Sequence, residues 1–330
     1  MDLCLRIVER FGLGTGRTNL VGTFILLAGL PMIVMVGSEQ ALFALAMQSR
    51  AAIAGAFDGR TQAVSLIDMI AATTLLCCVC VAVIAFFIGD CSRRLKQDSY
   101  GGLLCWWVGL SVLCYLVVVF PSARSWGILG LAPEVCPATR FAGNLETGAC
   151  GTALVNRLLD LSTPFLVVAS VAAVLGAIST LATSTAGAPQ PVSEWKMQRQ
   201  AADTWLLVAS GLLIAGLVFH HSWGRWLAAN WGLSESREFT ALVAAYTSFK
   251  GVQSSALIAA YYIPIVCIFA TRADAIALRN VENPDRAEKY KERHGLTFPF
   301  GTVVKNIGGI LAPFVASMLG PISDLIKSVG

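Results

Sequence analysis

The side chains best placed to do chemistry in this sequence form a stripe. Thr240, Thr247, Ser254 and Tyr261 recur every seven residues, and Lys250, Gly251 and Gln253 lie beside them. Seven residues are close to two α-helical turns, so the hydroxyls share one face. In an apolar helix such a face must turn to other helices or to water, because lipid offers it no partner. If it lines a pore, Lys250 draws anions. The same residues have a structural use: hydroxyls bonding to backbone or to neighbouring helices, and Lys250 snorkelling at the outer interface. The expected pore-lining set is Thr240, Thr247, Lys250, Ser254 and Tyr261.

Other constellations are weaker. His220-His221 resembles half of a metal or haem site, but neighbouring helix positions diverge by about 100° and share one ion poorly. Cys77-Cys78-x-Cys80 fails as a zinc site for the same reason, since zinc needs convergent tetrahedral ligands. Gly12-x-Gly14-x-Gly16 has no strand before it and no Lys-Ser or Lys-Thr after it, so it lacks the context of a phosphate loop. The sequence contains no H-E-x-x-H, G-x-S-x-G or paired-carboxylate motif. No catalytic residue, metal or cofactor is therefore assigned. Asp68, near the outer end of a helix, reads as solvated. Cys136 and Cys150 lie among Pro, Gly and Asn outside any apolar run, and on an oxidising face they are expected to form a disulfide.

These side chains must be carried by membrane-spanning helices. Of 330 residues, 56% are hydrophobic and 13% charged, against about 25% charged in soluble domains. The apolar residues cluster in long runs, which marks spans rather than amphipathic surface helices. The net charge of +4 gives no basic face for nucleic acid. The expected partner is the lipid bilayer.

Six runs are long enough to span: Asn19–Val36, Ala63–Gly89, Gly101–Phe120, Thr163–Thr183, Thr204–His221 and Ser255–Ala270. A cleaved signal within residues 1–46 is the alternative for the first. Residues 39–57, interrupted by Gln48, Ser49 and Arg50, read as an amphipathic surface helix. The chain divides into a cytoplasmic segment 1–19, a six-span domain 20–270 with an outer loop at 121–162, and a cytoplasmic or interfacial tail 271–330. Basic residues set the orientation. The compact Arg93-Arg94-Leu95-Lys96 cluster, with Lys196, Arg199, Arg272 and Arg279, belongs inside. Trp106, Trp107, Trp195 and Trp205 are expected in an aromatic belt at the inner interface, and Trp126, Trp223, Trp226 and Trp231 in one at the outer.

In the tail, Asn283 caps a charged helix, Pro284 fits its first position and Gly295 ends it. The basic face of this helix lies near anionic headgroups or in solvent. From Val303 to Val329 apolar residues recur at helical spacing. Gly308, Ala312, Ala316 and Gly320 form a small-residue ridge suited to close packing. Pro313 and Pro321 are expected to kink or interrupt this helix, which then lies at the interface or packs on its own bundle, with a re-entrant segment as the third reading.

The expected fold is an all-α polytopic bundle of about six spans with both termini cytoplasmic. The function it points to is a channel or transport component. The alternative is a non-catalytic membrane anchor or assembly subunit, with a second copy or a membrane complex as partner. An integral-membrane enzyme fits least well. Ala-rich composition and compact loops lean towards the cell membrane of a bacterium.

Overall fold

The computed structural model describes residues 59–95, 152–181, 191–230, 237–281, 283–298 and 300–329. These residues form helices and no strand: α1 Gly59–Leu95, α2 Thr152–Ser179, α3 Val192–Asn230, α4 Arg237–Asn280, α5 Pro284–His294 and α6 Phe300–Val329. Among the described residues four helical stretches are long and apolar enough to cross a membrane: Val64–Asp90, Val192–Trp226, Val243–Asn280 and Gly301–Met318. The shorter stretch Phe165–Ser179 of α2 is also apolar. The expected spans at 19–36 and 101–120, the surface helix at 39–57, the outer loop and the Cys136–Cys150 pairing lie outside the described residues.

The apolar runs become helices because hydrocarbon leaves backbone groups no partner but each other. The polar flanks follow them. The expected Thr204–His221 is the centre of the 39-residue α3, and Ser255–Ala270 lies within the 44-residue α4. At 1.5 Å per residue both are about twice as long as the roughly 30 Å hydrocarbon layer, so their ends project from it. Pro264 sits inside α4 without ending it.

Helix α5 is built as its sequence dictates. The Asn283 side chain accepts from the Asp285 amide, and Gly295 closes the helix at φ 63°. Its C-cap amide returns to the last turn, and the Leu296 amide donates to Lys291 O at 2.8 Å. Lys291 ties α5 back to α4, with Asp274 at 2.8 Å and Glu288 of its own helix at 2.6 Å. Burial alone would weaken the hold of Lys291 on its proton. The two carboxylates outweigh burial and raise its pKa above the ordinary lysine value.

The tail helix packs into the bundle against α3 and α4, one of its expected placements. It differs from expectation in two ways. It runs unbroken through Pro313 and Pro321. Its close-packing ridge is not the predicted one: Gly308 is exposed and a Cβ there would meet nothing within 4 Å, whereas Asn306, Gly309, Pro313 and Ser317 form the buried face. The opposite face, with Val304, Ile307, Leu311 and Val315, is exposed and apolar, as are Ile67, Val81 and Ile88 on α1. Such faces suit lipid.

The helix directions are well defined among the described residues. Helices α3 and α4 are antiparallel: the Trp195 indole donates to Phe269 O at 3.0 Å near one end, and the His220 and Tyr246 rings meet at 5.9 Å near the other. Helix α6 is parallel to α3 and antiparallel to α4. Moving along α6, Asn306 meets Asp203, Gly309 meets Leu206 and Ser210, Phe314 meets Ser255, and Ser317 meets Gly251.

The tryptophans among the described residues are not a belt. Trp195, Trp205, Trp223 and Trp226 are all buried in protein. Trp205 joins three helices. Its ring lies against Gly176 of α2 and beside Phe86 and Phe87 of α1, and its indole N–H donates to Asp90 at 3.0 Å. A large ring with one polar handle fills such a junction well.

Candidate functional site

Helix α3 opens with a polar turn and then turns apolar. Asp203 is its last charged residue before a run that meets no further formal charge until Arg225. At this threshold three helices converge. Asp203 Oδ1 accepts the Tyr262 hydroxyl of α4 at 2.5 Å and the Asn306 amide of α6 at 3.1 Å. Tyr262 is 1% exposed and Asn306 7%, while Asp203 itself is half-buried. Hydrogen bonds to a carboxylate are shorter and stronger than neutral ones, more so where water is excluded.

Arg199 lies one turn before Asp203, and the two charges attract. The guanidinium does not simply hang in solvent. Its Nη1 donates to Thr297 O at 2.8 Å, and its plane lies 4.1 Å from the Phe298 ring centre and 5.4 Å from that of Trp195. Cation–π contact and a backbone acceptor fix its position. The link between α5 and α6 is thereby held against α3.

Above this cluster lies a second polar arrangement, built around Pro313. Proline has no N–H and crowds the carbonyl four residues earlier, so Gly309 O loses its helical donor. Ser210 of α3 supplies one, at 2.6 Å. A hydroxyl has one proton, and the other carbonyl in reach, Leu206 O, is farther at 2.8 Å. On the far side of Pro313, Phe314 N–H donates to Ser255 Oγ of α4 at 3.1 Å. Two neighbouring helices thus repair what the proline breaks. Ser317 then sits directly on Gly251, where a Cβ would lie 2.1 Å from its hydroxyl.

The predicted stripe on α4 is dispersed. Thr240 is exposed and Ser254 half-buried, whereas Thr247, Lys250 and Tyr261 are buried. Thr247 donates to its own helix at Val243 O, 2.9 Å away. Lys250 is 6% exposed, with its ammonium 5.6 Å from the centre of the Tyr246 ring. It therefore faces protein rather than open water. The Tyr261 hydroxyl has no hydrogen-bond partner among the described residues. The side chains that reach other helices, Ser255 and Tyr262, lie one residue beyond Ser254 and Tyr261.

Among the described residues no group of three or more His, Cys, Asp or Glu converges as a metal site would. Cys77 is half-buried, Cys78 exposed and Cys80 buried, so they diverge, and they carry free thiols, as does Cys267. Asp68 is exposed.

Sequence reasoning missed Asp203, Tyr262 and Asn306. One signal was available: a lone carboxylate adjoining an apolar run needs a partner. Its partners, 59 and 103 residues away, left no local trace. No family model matches the chain, and no curated protein or solved structure matches it either.

Proposed function

We propose that this chain is a channel or transport component of a cell membrane, with its polar route along the contact of α3, α4 and α6. One observation carries the reading: side chains from three helices meet on the Asp203 carboxylate inside a bundle whose outer faces are apolar. Ionisable groups at membrane depth are costly and mark substrate or ion pathways. Lys250 strengthens the reading. It is buried on α4 twelve residues from Tyr262, about 18 Å along the helix axis. A cation so far into the bundle attracts anions or sets a barrier to cations. The topology we adopt retains the six spans between residues 20 and 270 and a cytoplasmic N-terminus.

Lys250→Glu, in purified protein reconstituted in vesicles, tests the route. Reversing the charge is expected to change the preference between anions and cations. Unchanged selectivity in an active variant removes Lys250 from the mechanism.

A second reading is a non-catalytic anchor or assembly subunit. It is favoured by the exposed apolar face of α6, a surface that fits another membrane helix as well as lipid. Purification in mild detergent separates the two readings. A stoichiometric second protein favours assembly, and a homo-oligomer around an opening favours the route.

A further inference from the structure

We infer that the exposed face of α1 is the docking surface of the chain's own segment 101–120, which crosses the membrane beside α1 and antiparallel to it. The inference rests on the bundle lying in a membrane, and not on its transporting anything.

The directions of the described helices require a crossing that none of them supplies. Trp205 of α3 meets Phe86, Phe87 and Asp90 of α1 and lies against Gly176 of α2. The apolar stretches Val64–Asp90 and Phe165–Ser179 both end near this level. The charge-free run of α3 begins there, after Asp203. Hydrocarbon therefore lies on the side of Trp205 towards which α3 continues, and the apolar stretches of α1 and α2 extend back into it. Helices α1 and α2 are thus parallel to each other and antiparallel to α3. The chain leaves α1 at Leu95, on the face where α2 also ends, yet it enters α2 at Thr152 on the opposite face. Residues 96–151 must carry it back across. Within them the apolar run of spanning length is 101–120, 20 residues or about 30 Å of helix.

The link and the surface of α1 say where that run lies. Residues 96–100 alone separate Leu95 from the run, and so short a link makes antiparallel neighbours. One side of α1 is taken, with Met69, Leu76, Cys80 and Val83 buried in the core. The other side is left open by the described residues, and Ile67, Leu75, Val81 and Ile88 are exposed on it. Along it runs a line of small residues, Ala71, Thr74, Cys78, Ala82, Ala85 and Gly89, all exposed. A Cβ at Gly89 would meet nothing within 4 Å. Small side chains let two helix backbones approach closely in lipid. The apolar run 19–36 is the poorer occupant, because residues 37–58 separate it from α1. Equal steps from the link set the register: Ile88 falls level with Val108, and Val81 with Tyr115.

The test is photocrosslinking of the full chain in membranes, with benzoylphenylalanine in place of Val81 or of Ile88, side chains that are already large and exposed. Adducts are mapped by mass spectrometry of the monomeric product. The probe at Val81 is expected to attach near Tyr115 and the probe at Ile88 near Val108. Adducts with 19–36, with a second copy or with lipid in place of 101–120 overturn the inference, as does one attachment point shared by both probes. Ala82→Leu combined with Ala85→Leu gives a second reading where a probe variant does not fold. Against a closely packed helix the larger side chains are expected to lower the thermal unfolding midpoint in detergent. An unchanged midpoint, as for a surface that meets only lipid, overturns the docking. A chain that gives the expected adducts but carries no flux in vesicles counts against the transport reading alone.

Discussion

The absence of one Cβ decides where Trp205 sits. A methyl at Gly176 would lie 2.2 Å from the indole ring, and the indole is 1% exposed, with rings and helices around it. The ring cannot move without giving up its hydrogen bond to Asp90 and its contacts with Phe86 and Phe87. Gly176→Ala is therefore expected to destabilise the bundle by roughly 1–3 kcal/mol, the usual cost of overpacking. Gly211→Ala on α3 is the control, since nothing lies within 4 Å of its added Cβ. There alanine gains helix propensity and is expected to be neutral or mildly stabilising. Thermal unfolding in detergent reads both. Equal effects at the two glycines would show that Gly176 is not a packing device. The same scale separates Asp203 from Lys250. Asp203 is half-buried with named donors, whereas Lys250 is buried deep among protein groups with Tyr246 close by. The first is open to water at the polar end of the bundle, and the second is closed off from it.

A proline in a membrane helix shifts part of the helix's stability onto its neighbours. In α6 the orphaned Gly309 carbonyl is satisfied by Ser210. If that repair is real, its value depends on the proline. In wild-type protein, Ser210→Ala is expected to cost about 1 kcal/mol, the typical net worth of a hydrogen bond. In a Pro313→Ala background the new amide refills Gly309 O, and the same serine substitution is expected to cost much less. A double-mutant cycle on unfolding free energies measures this coupling. Additive effects would show that Ser210 serves only Leu206 O in its own helix. The repair also explains what could be read in advance. The apolar runs of α1 and of α2 were legible, as were the caps of α5, because each is written in neighbouring residues. The continuity of α6 was not, because the groups that permit it are Ser210 and Ser255, far away in sequence. The lengths of α3 and α4 were not, because their polar ends carry no apolar run. On α4 two side chains that bond to other helices lie one residue beyond expected ones. A seven-residue period selects Ser254 and Tyr261, while Ser255 and Tyr262 make the hydrogen bonds to α6 and α3, although Tyr261 is buried too. Hydroxyl spacing alone does not distinguish adjacent faces of a helix rich in small and polar residues.

At the scale of the whole molecule, we propose a topology from charge and helix direction taken together. Lys196, Arg199, Arg272, Arg279, Lys291 and Arg293 belong to the ends of α3 and α4 that meet Trp195 and Phe269, or to α5 beside them. The opposite end of α3 carries Arg225. By the positive-inside rule we assign the former end to the cytoplasm. Helix α6 starts from that same end, since Arg199 holds Thr297 O and Asp203 holds Asn306. It then runs parallel to α3. Its apolar stretch Gly301–Met318 has 18 residues, about 27 Å of helix and close to the hydrocarbon thickness. The helix continues to Val329. A helix of this length and direction has no reason to turn back, so we place its far end on the outer face, in place of the cytoplasmic C-terminus expected from the basic tail. The two readings part at the prolines: if residues 303–329 do not cross, the chain end stays where the helix began, and if they cross it lies on the other face. Two fusions of a reporter that is active only in the cytoplasm test this. Joined after Asn280, at the end of α4, the reporter is expected to be active. Joined after Gly330, on the full chain, it is expected to be silent while the fusion protein is present at comparable level. Activity at both junctions would return α6 to the cytoplasmic surface and would remove the parallel packing of α3 and α6 as a membrane contact. A complementary reporter, active only outside the cytoplasm, must then give the mirror pattern, because a silent fusion alone does not distinguish export from misfolding.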